Sequence, residues 1–180
     1  MNPALCRLAL CWAAAILSWP ALAADTLVAD LEQRLASTGV ESVNDYLGAH
    51  PDSAMPRFNR MTASCELQAV SLALRLARGA NARAVQAHQE SLRAASGRCA
   101  RFILALASAA EVPRVCASQA AWGAAQTARE LRRRIADIEA DALLRGTAQG
   151  RACQAAYLYE LKNTRVTLRV ASPSPAAPER

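Results

Sequence analysis

The sequence predicts an all-α protein: a disulfide-stapled helical bundle of about four main helices with an N-terminal helical arm. Three observations predict this class. Apolar residues recur at steps of three and four along most of the chain, which is the period of an amphipathic helix. Glycines and prolines separate these segments. The chain has six cysteines, and Cys6 and Cys11 lie within its first 24 residues. The other four are an even number, which favours two disulfides.

Residues 1–24 have the layout of a cleaved secretory signal peptide. Arg7 supplies an early positive charge, an apolar run from Leu8 to Trp19 follows, and a small-residue pattern over 21–23 ends the segment. The run is short for a membrane anchor, because a span needs about 20 apolar residues. We therefore expect a periplasmic or secreted protein, with no transmembrane span after cleavage.

The remaining chain is predicted to be one helical domain over 25–170, followed by a disordered tail over 171–180. The tail is rich in proline, serine and alanine, which do not build a packed core. The whole chain has a formal net charge of +6. This charge favours loose attraction to anionic surfaces but specifies neither a fold nor a partner.

The N-terminal arm is predicted as a helix over 25–37, where leucines repeat every four residues. Gly39 ends it, and a short helix over 41–47 follows. A central helix is then predicted over 61–78, because its polar residues fall on one narrow stripe and the rest of its surface is apolar. A helix of this kind needs neighbours on most sides.

Three further helices are predicted. The first runs over 82–110, with a kink at Gly97, because its apolar pattern continues through the glycine. The second runs over 115–145 and the third over 149–163. Residues 164–170 alternate with a period near two, which fits either an extended strand or a frayed helix end.

The helices over 61–78 and 82–110 should form an antiparallel hairpin, which predicts the pair Cys65–Cys99. These cysteines lie at similar distances from the turn at Asn81, 16 residues before it and 18 after it. Cys116–Cys153 follows by elimination. That pair conflicts with a straight helix over 115–145, which would be about 40 Å long. Either the helix breaks near 122–123, or the last helix lies elsewhere, or the pairing differs.

No catalytic, cofactor or metal site is predicted. Nucleophile-elbow, P-loop, zinc-protease and dinucleotide-binding motifs are absent from the sequence. The cysteines lack C-x-x-C spacing, and His50 and His88 have no ligands at metal-binding spacing. His88 is the best candidate for a general base, but no carboxylate is placed beside it by helical spacing. We interpret it as a structural residue on an apolar face.

A candidate partner surface is predicted on the Arg-rich helix over 115–145 and on the last helix. Expected pairs four residues apart, Glu130 with Arg134 and Arg133 with Asp137, indicate a solvated helix face. One of two tyrosines on the last helix should be exposed, because residues two apart cannot both face one core. The surface residues are Arg129, Arg132, Arg133, Arg134, Tyr157 and Tyr159.

We therefore expect an exported, non-enzymatic binding protein that acts through a protein–protein surface, as an inhibitor, immunity or accessory factor. Its expected partner is another envelope or secreted protein. No nucleic-acid partner is expected, because an exported protein rarely meets nucleic acid. The alternative is a binder of a small ligand or of an anionic envelope surface through the Arg-rich helix. The sequence leaves the oligomeric state open.

Overall fold

The computed structural model describes residues 26–171, and helices make up most of this range. This range contains no strand, which confirms the all-α class. The predicted signal peptide and residues 172–180 of the predicted tail lie outside it. In chain order the helices are α1 (Thr26–Ala49), α2 (Ala54–Ala63), α3 (Leu67–Leu76), α4 (Ala82–Ser96), α5 (Ala100–Leu106), α6 (Val112–Val115), α7 (Ala124–Ala140), α8 (Ala142–Gly146) and α9 (Ala148–Ala171).

Helix α1 contains both predicted N-terminal helices, which meet at Gly39. This residue has φ 84° and ψ 176°, a conformation that glycine adopts because it lacks a Cβ. The kink leaves buried residues on both sides of it, Leu31 and Leu35 before and Val43 and Leu47 after. All four belong to one hydrophobic core, so the glycine bends the arm around that core.

The prediction of one helix over 61–78 is wrong, because the structure divides it at Cys65. Helix α2 ends in two hydrogen bonds, from the Cys65 N–H to the Thr62 carbonyl (3.0 Å) and from the Glu66 N–H to the Met61 carbonyl (3.1 Å). This is the Schellman arrangement, in which glycine usually takes the left-handed position. Here Cys65 takes it, with φ 68°. No glycine marks the break, so the apolar pattern alone did not reveal it.

The prediction of one helix over 82–110 is also wrong. Helix α4 ends at Ser96 with Gly97 as its C-cap, and α5 starts only after Cys99, whose φ and ψ of −135° and 48° are not helical. The N–H groups of Arg98 and Cys99 both donate to the Ala95 carbonyl at 2.9 Å. The kink expected at Gly97 is therefore a complete break.

The predicted helix over 115–145 is interrupted twice and is therefore three helices. Residues 116–123 are not helical, and α7 starts after Gly123. Asp141 ends α7 and caps α8, because its carboxylate accepts the N–H groups of Leu143 and Leu144 at 3.0 and 3.2 Å. The break near 122–123 is one of the alternatives that the cysteine pairing left open.

Helix α9 covers the predicted last helix and continues to Ala171, so the backbone over 164–170 is helical and not extended. It packs along α7 in the opposite direction. The direction follows from two contacts: Arg134 Nη1 lies 3.3 Å from the Tyr157 hydroxyl, and Gln154 Nε2 donates to Glu139 Oε1 at 2.8 Å.

Both predicted disulfides are confirmed. Cys65 and Cys99 have Cα atoms 6.3 Å apart, and those of Cys116 and Cys153 are 5.3 Å apart. The first bridge does not join two continuous facing helices as expected. It joins the break between α2 and α3 to the break between α4 and α5. The second ties the start of the non-helical segment 116–123 to α9, so each bridge holds a place where regular structure stops.

Candidate functional site

The arginine side chains of α7 differ in exposure, since three face solvent and one is buried. Arg129, Arg132 and Arg133 are exposed, as predicted for a partner surface. Arg133 forms ion pairs with Glu130 at 3.0 Å and with Asp137 at 2.8 Å. The predicted Arg133–Asp137 pair is therefore confirmed, whereas Glu130 pairs with Arg133 and not with Arg134.

Two residues of the predicted partner surface, Arg134 and Tyr157, are buried instead, with exposed fractions of 4% and 1%. Both lie on the sides of α7 and α9 that face each other and α4. Tyr159, two residues along α9, is 72% exposed, as expected for one of the two tyrosines. The expected pair with Glu130 led to the wrong prediction for Arg134, although helical spacing puts it three residues after Leu131 and four before Ile138, which are both buried.

The interior around Arg134 contains a cluster of polar groups. Nη1 of Arg134 donates to the Arg93 carbonyl at 2.9 Å and lies 3.1 Å from Ser96 Oγ and 3.3 Å from the Tyr157 hydroxyl. The guanidinium carbon is 5.0 Å from the centre of the Trp122 ring, within the range of a cation–π contact. The charge is thus held by the last turn of α4, by two hydroxyls and by an aromatic face.

A cavity of about 350 Å³ opens beside this cluster. Its lining comes from the α4–α5 break, from one side of α7, from α8 and from Tyr157. Gly97 is required there for space and not for its backbone angles, since its φ is −78°. A Cβ at this position would lie 2.6 Å from Nη2 of Arg134. The glycine therefore lets the guanidinium lie against the backbone.

Arg134 can be tested for a purely structural role. We expect Arg134→Met to leave the free energy of unfolding unchanged or to raise it by about 1–2 kcal/mol, because it removes a buried charge that lacks a carboxylate partner. Ser96 and Tyr157 keep each other as partners at 3.1 Å. Urea denaturation of the two proteins at pH 7 measures the difference. A loss above about 2 kcal/mol would show that the hydrogen bonds of Arg134 are needed to hold the bundle together.

The second polar group in the interior is His88, which is fully buried on α4. Its Nε2 lies 3.0 Å from Asn44 Oδ1, and the amide nitrogen of Asn44 donates to the Leu76 carbonyl at 3.1 Å. The ring meets that of Phe58 edge-on at 5.5 Å. Burial lowers the pKa of His88 to about 4. The contacts join α4 to α1 and α2, which supports the structural interpretation of this histidine.

An exposed apolar surface lies on another side of the bundle. A groove of about 600 Å³ is lined by residues of α1, α3 and α5. Leu67 on α3 is 60% exposed and Leu106 at the end of α5 is 42% exposed, and both line this groove. Leu106 belongs to the apolar pattern over 82–110 and is therefore expected to be buried, but the structure exposes it. On α3, Leu67 lies beside Gln68 and Ser71, which line the same groove.

Within residues 26–171 no group of three or more histidine, cysteine, aspartate or glutamate side chains is placed to hold a metal ion. The helices of the same range are also too short or too polar to cross a bilayer.

No family model, no curated protein and no solved structure matches the chain. The function must therefore be inferred from the residues and surfaces described above.

Proposed function

We propose that this is an exported, non-enzymatic binding protein of the periplasm or of the secreted compartment, which acts through a protein–protein surface as an inhibitor, immunity or accessory factor. The observation that carries this proposal is the groove with Leu67 and Leu106 on its walls. Two large apolar side chains exposed in one concave surface are typical of an interaction site. The two disulfides are compatible with an exported protein.

The proposed occupant is the apolar face of a helix from another envelope or secreted protein. The walls of the groove come from helices, and a cleft between helices accepts a further helix through apolar anchors spaced three or four residues apart. Charges at the rim are already balanced, because Glu32 pairs with Arg75 at 2.7 Å. This balance favours an apolar anchor and disfavours a strongly charged partner.

The non-enzymatic part of the proposal is supported by His88. Its Nε2 is committed to Asn44, and Glu90, the nearest acidic residue in sequence, pairs with Arg93 at 2.8 Å. A buried histidine without a carboxylate partner lacks the usual environment of a general base.

The alternative, an anionic envelope surface bound by the Arg-rich helix, has weaker support. Of its three exposed arginines, Arg133 is already paired with two carboxylates. The contact would then depend on Arg129 and Arg132, and exposed charges of this kind are screened at physiological salt.

Introducing negative charge into the apolar groove tests the proposal. We expect the double variant Leu67→Glu/Leu106→Glu to capture at least about tenfold less of a partner from envelope extracts than the unmodified protein does, because two anchors are lost. Leu143→Glu is the matched control, since Leu143 is 68% exposed on α8, outside the groove. Quantitative mass spectrometry of the captured proteins measures the difference, and circular dichroism checks that each variant is folded.

Salt separates the two functions. Capture through apolar anchors should persist at about 0.5 M salt, whereas attraction to an anionic surface should be lost, since the Debye length there is only a few ångströms. Capture that is equal in the double variant, or that disappears at high salt, would contradict docking in the groove.

A further inference from the structure

The guanidinium of Arg134 has two edges in different surroundings. The edge at Nη1 faces the Arg93 carbonyl, Ser96 and Tyr157, as described above. The Arg93 carbonyl belongs to the last turn of α4, where the helix dipole presents partial negative charge. This edge therefore has a structural task, which is to join α7 to the end of α4.

The other edge, formed by Nε and Nη2, has no such task. Nε of Arg134 is buried and has no hydrogen-bond partner, and Nη2 donates to no residue within the described chain. The described residues also place no carboxylate in an ion pair with this side chain. Nε has almost no accessible surface, so of this edge only Nη2 can donate to a molecule in the cavity that Arg134 lines. A buried guanidinium with a free donor and no carboxylate partner is complementary to an anion.

The composition of the cavity restricts the anion. Arg98 and Arg101 add positive charge, but the carboxylates of Asp137 and Asp141 also line it. Asp141 forms an ion pair with Arg101, and Asp137 forms one with Arg133. These pairs reduce the repulsion that the two carboxylates would exert on a bound anion. Together these charges favour one negative charge over several.

The rest of the lining is apolar. Ile138 and Leu144 are both buried and both line the cavity. A volume of about 350 Å³ is at the small end of ligand-binding sites. A ligand with a carboxylate at one end and a short apolar body at the other would complement both the guanidinium of Arg134 and the apolar lining.

We propose that this cavity binds a small organic monocarboxylate, whose carboxylate accepts a hydrogen bond from Nη2 of Arg134 and whose apolar body lies against Ile138 and Leu144. Gly97 is a positioning residue, because a Cβ there would displace the guanidinium. The proposal is independent of the docking groove, which uses α1, α3 and α5 and shares no lining residue with this cavity.

Calorimetric titration of the oxidised protein with benzoate and with hexanoate tests the proposal. We expect at least one of them to bind with a Kd between about 10 µM and 1 mM, a range reasonable for ligands of this size. Benzyl alcohol has a similar body without the charge, and sulfate has charge without the body. Both are expected to bind at least about tenfold more weakly. No binding of either acid below about 5 mM would overturn the proposal, and so would equal binding of sulfate or benzyl alcohol.

Three variants locate the site. Arg134→Met should weaken carboxylate binding at least about tenfold, whereas Arg132→Met, an exposed arginine two residues away, should not change it. Gly97→Ala keeps the charge but moves the guanidinium, so it should also weaken binding and remains informative if Arg134→Met does not fold. Unchanged affinity in both Arg134→Met and Gly97→Ala would overturn the assignment.

A fourth variant separates this site from the docking groove. Leu67→Glu/Leu106→Glu should retain carboxylate binding, because neither leucine lines the Arg134 cavity. If the acids instead lose affinity in this variant, they occupy the groove and the proposal is wrong. Failure of partner capture with intact carboxylate binding would contradict only the protein-docking function.

Discussion

Replacing both Cys116 and Cys153 by alanine is expected to lower the free energy of unfolding by about 5 kcal/mol. The bridge joins residues separated by 37 positions. In the chain-entropy estimate, opening a loop of this length costs about 4 kcal/mol. Both cysteines are 1% exposed, so the loss of two buried sulfur atoms adds about 1 kcal/mol more. Guanidinium denaturation of the oxidised proteins at pH 7 measures the difference.

The other disulfide supplies a matched control. Cys65 and Cys99 are separated by 34 positions, so the loop contribution is nearly the same. Both residues are only partly buried, and Cys65→Ala/Cys99→Ala should therefore cost less, about 4 kcal/mol. If the Cys65→Ala/Cys99→Ala variant lost as much unfolding free energy as the Cys116→Ala/Cys153→Ala variant, or more, the contribution of sulfur burial would be contradicted. Losses below about 1 kcal/mol in both double variants would contradict the loop-entropy contribution itself.

Acidification from pH 6.5 to 4.5 is expected to destabilise the protein, chiefly through His88. Burial lowers its pKa from the ordinary value of 6.5 to about 4 in the folded protein. The unfolded chain therefore takes up a proton first as the pH falls, and the folded state does so only near pH 4. Stability is full above pH 6.5 and decreases toward pH 4, with a total loss of about 3 kcal/mol.

The window above pH 4.5 isolates this histidine from the carboxylates. Desolvation raises the pKa of Glu111, but hydrogen bonds from Arg78 and Ser108 outweigh it and hold the pKa below 4.5. The hydrogen bond from Arg101 lowers the pKa of Asp141 below 3.8. Both carboxylates also stabilise the folded state less as the pH falls, but their contributions are lost at pH values below this window.

Urea denaturation in steps of pH between 7 and 4.5 measures the slope. His88→Gln should be less stable at pH 7 but should lose most of the slope, because an amide does not titrate in this range. His50→Gln, a substitution at the exposed histidine, is the control. A slope that survives in His88→Gln would show that another group titrates in the interior.

The apolar periodicity of the sequence determined much of this fold. The sequence predicted the helical class, an interruption of the N-terminal arm at Gly39 and the two cysteine pairs, because helical period, glycine and cysteine spacing are local properties of the chain. At Gly39 the structure has a kink within one helix and not the predicted helix end. Prediction from the sequence failed where a helix stops without a local signal. Cys65 takes a left-handed position usually given to glycine, and this conformation occurs where the chain folds back and the disulfide closes.

The candidate sites depended on the tertiary structure more strongly. All four arginines of the run 129–134 are predicted to face solvent, because Glu130 lies four residues before Arg134 and is its expected partner. Packing of α7 against α4 and α9 places Arg134 inside, where the end of α4 supplies an acceptor and Gly97 supplies space. Likewise, Leu67 and Leu106 share a groove because α3 and α5, which are not consecutive in the chain, come together beside α1.

The sequence by itself determined the helical class, the paired cysteines and the expectation of export, because each follows from composition and spacing along the chain. Only the tertiary structure decided that helices also break at Cys65 and Asp141, and which polar groups are buried. Those outcomes depend on contacts between residues far apart in sequence, such as Arg134 with Arg93 and Asn44 with His88. Local periodicity has no information about such contacts, and the two proposed binding sites are built from them.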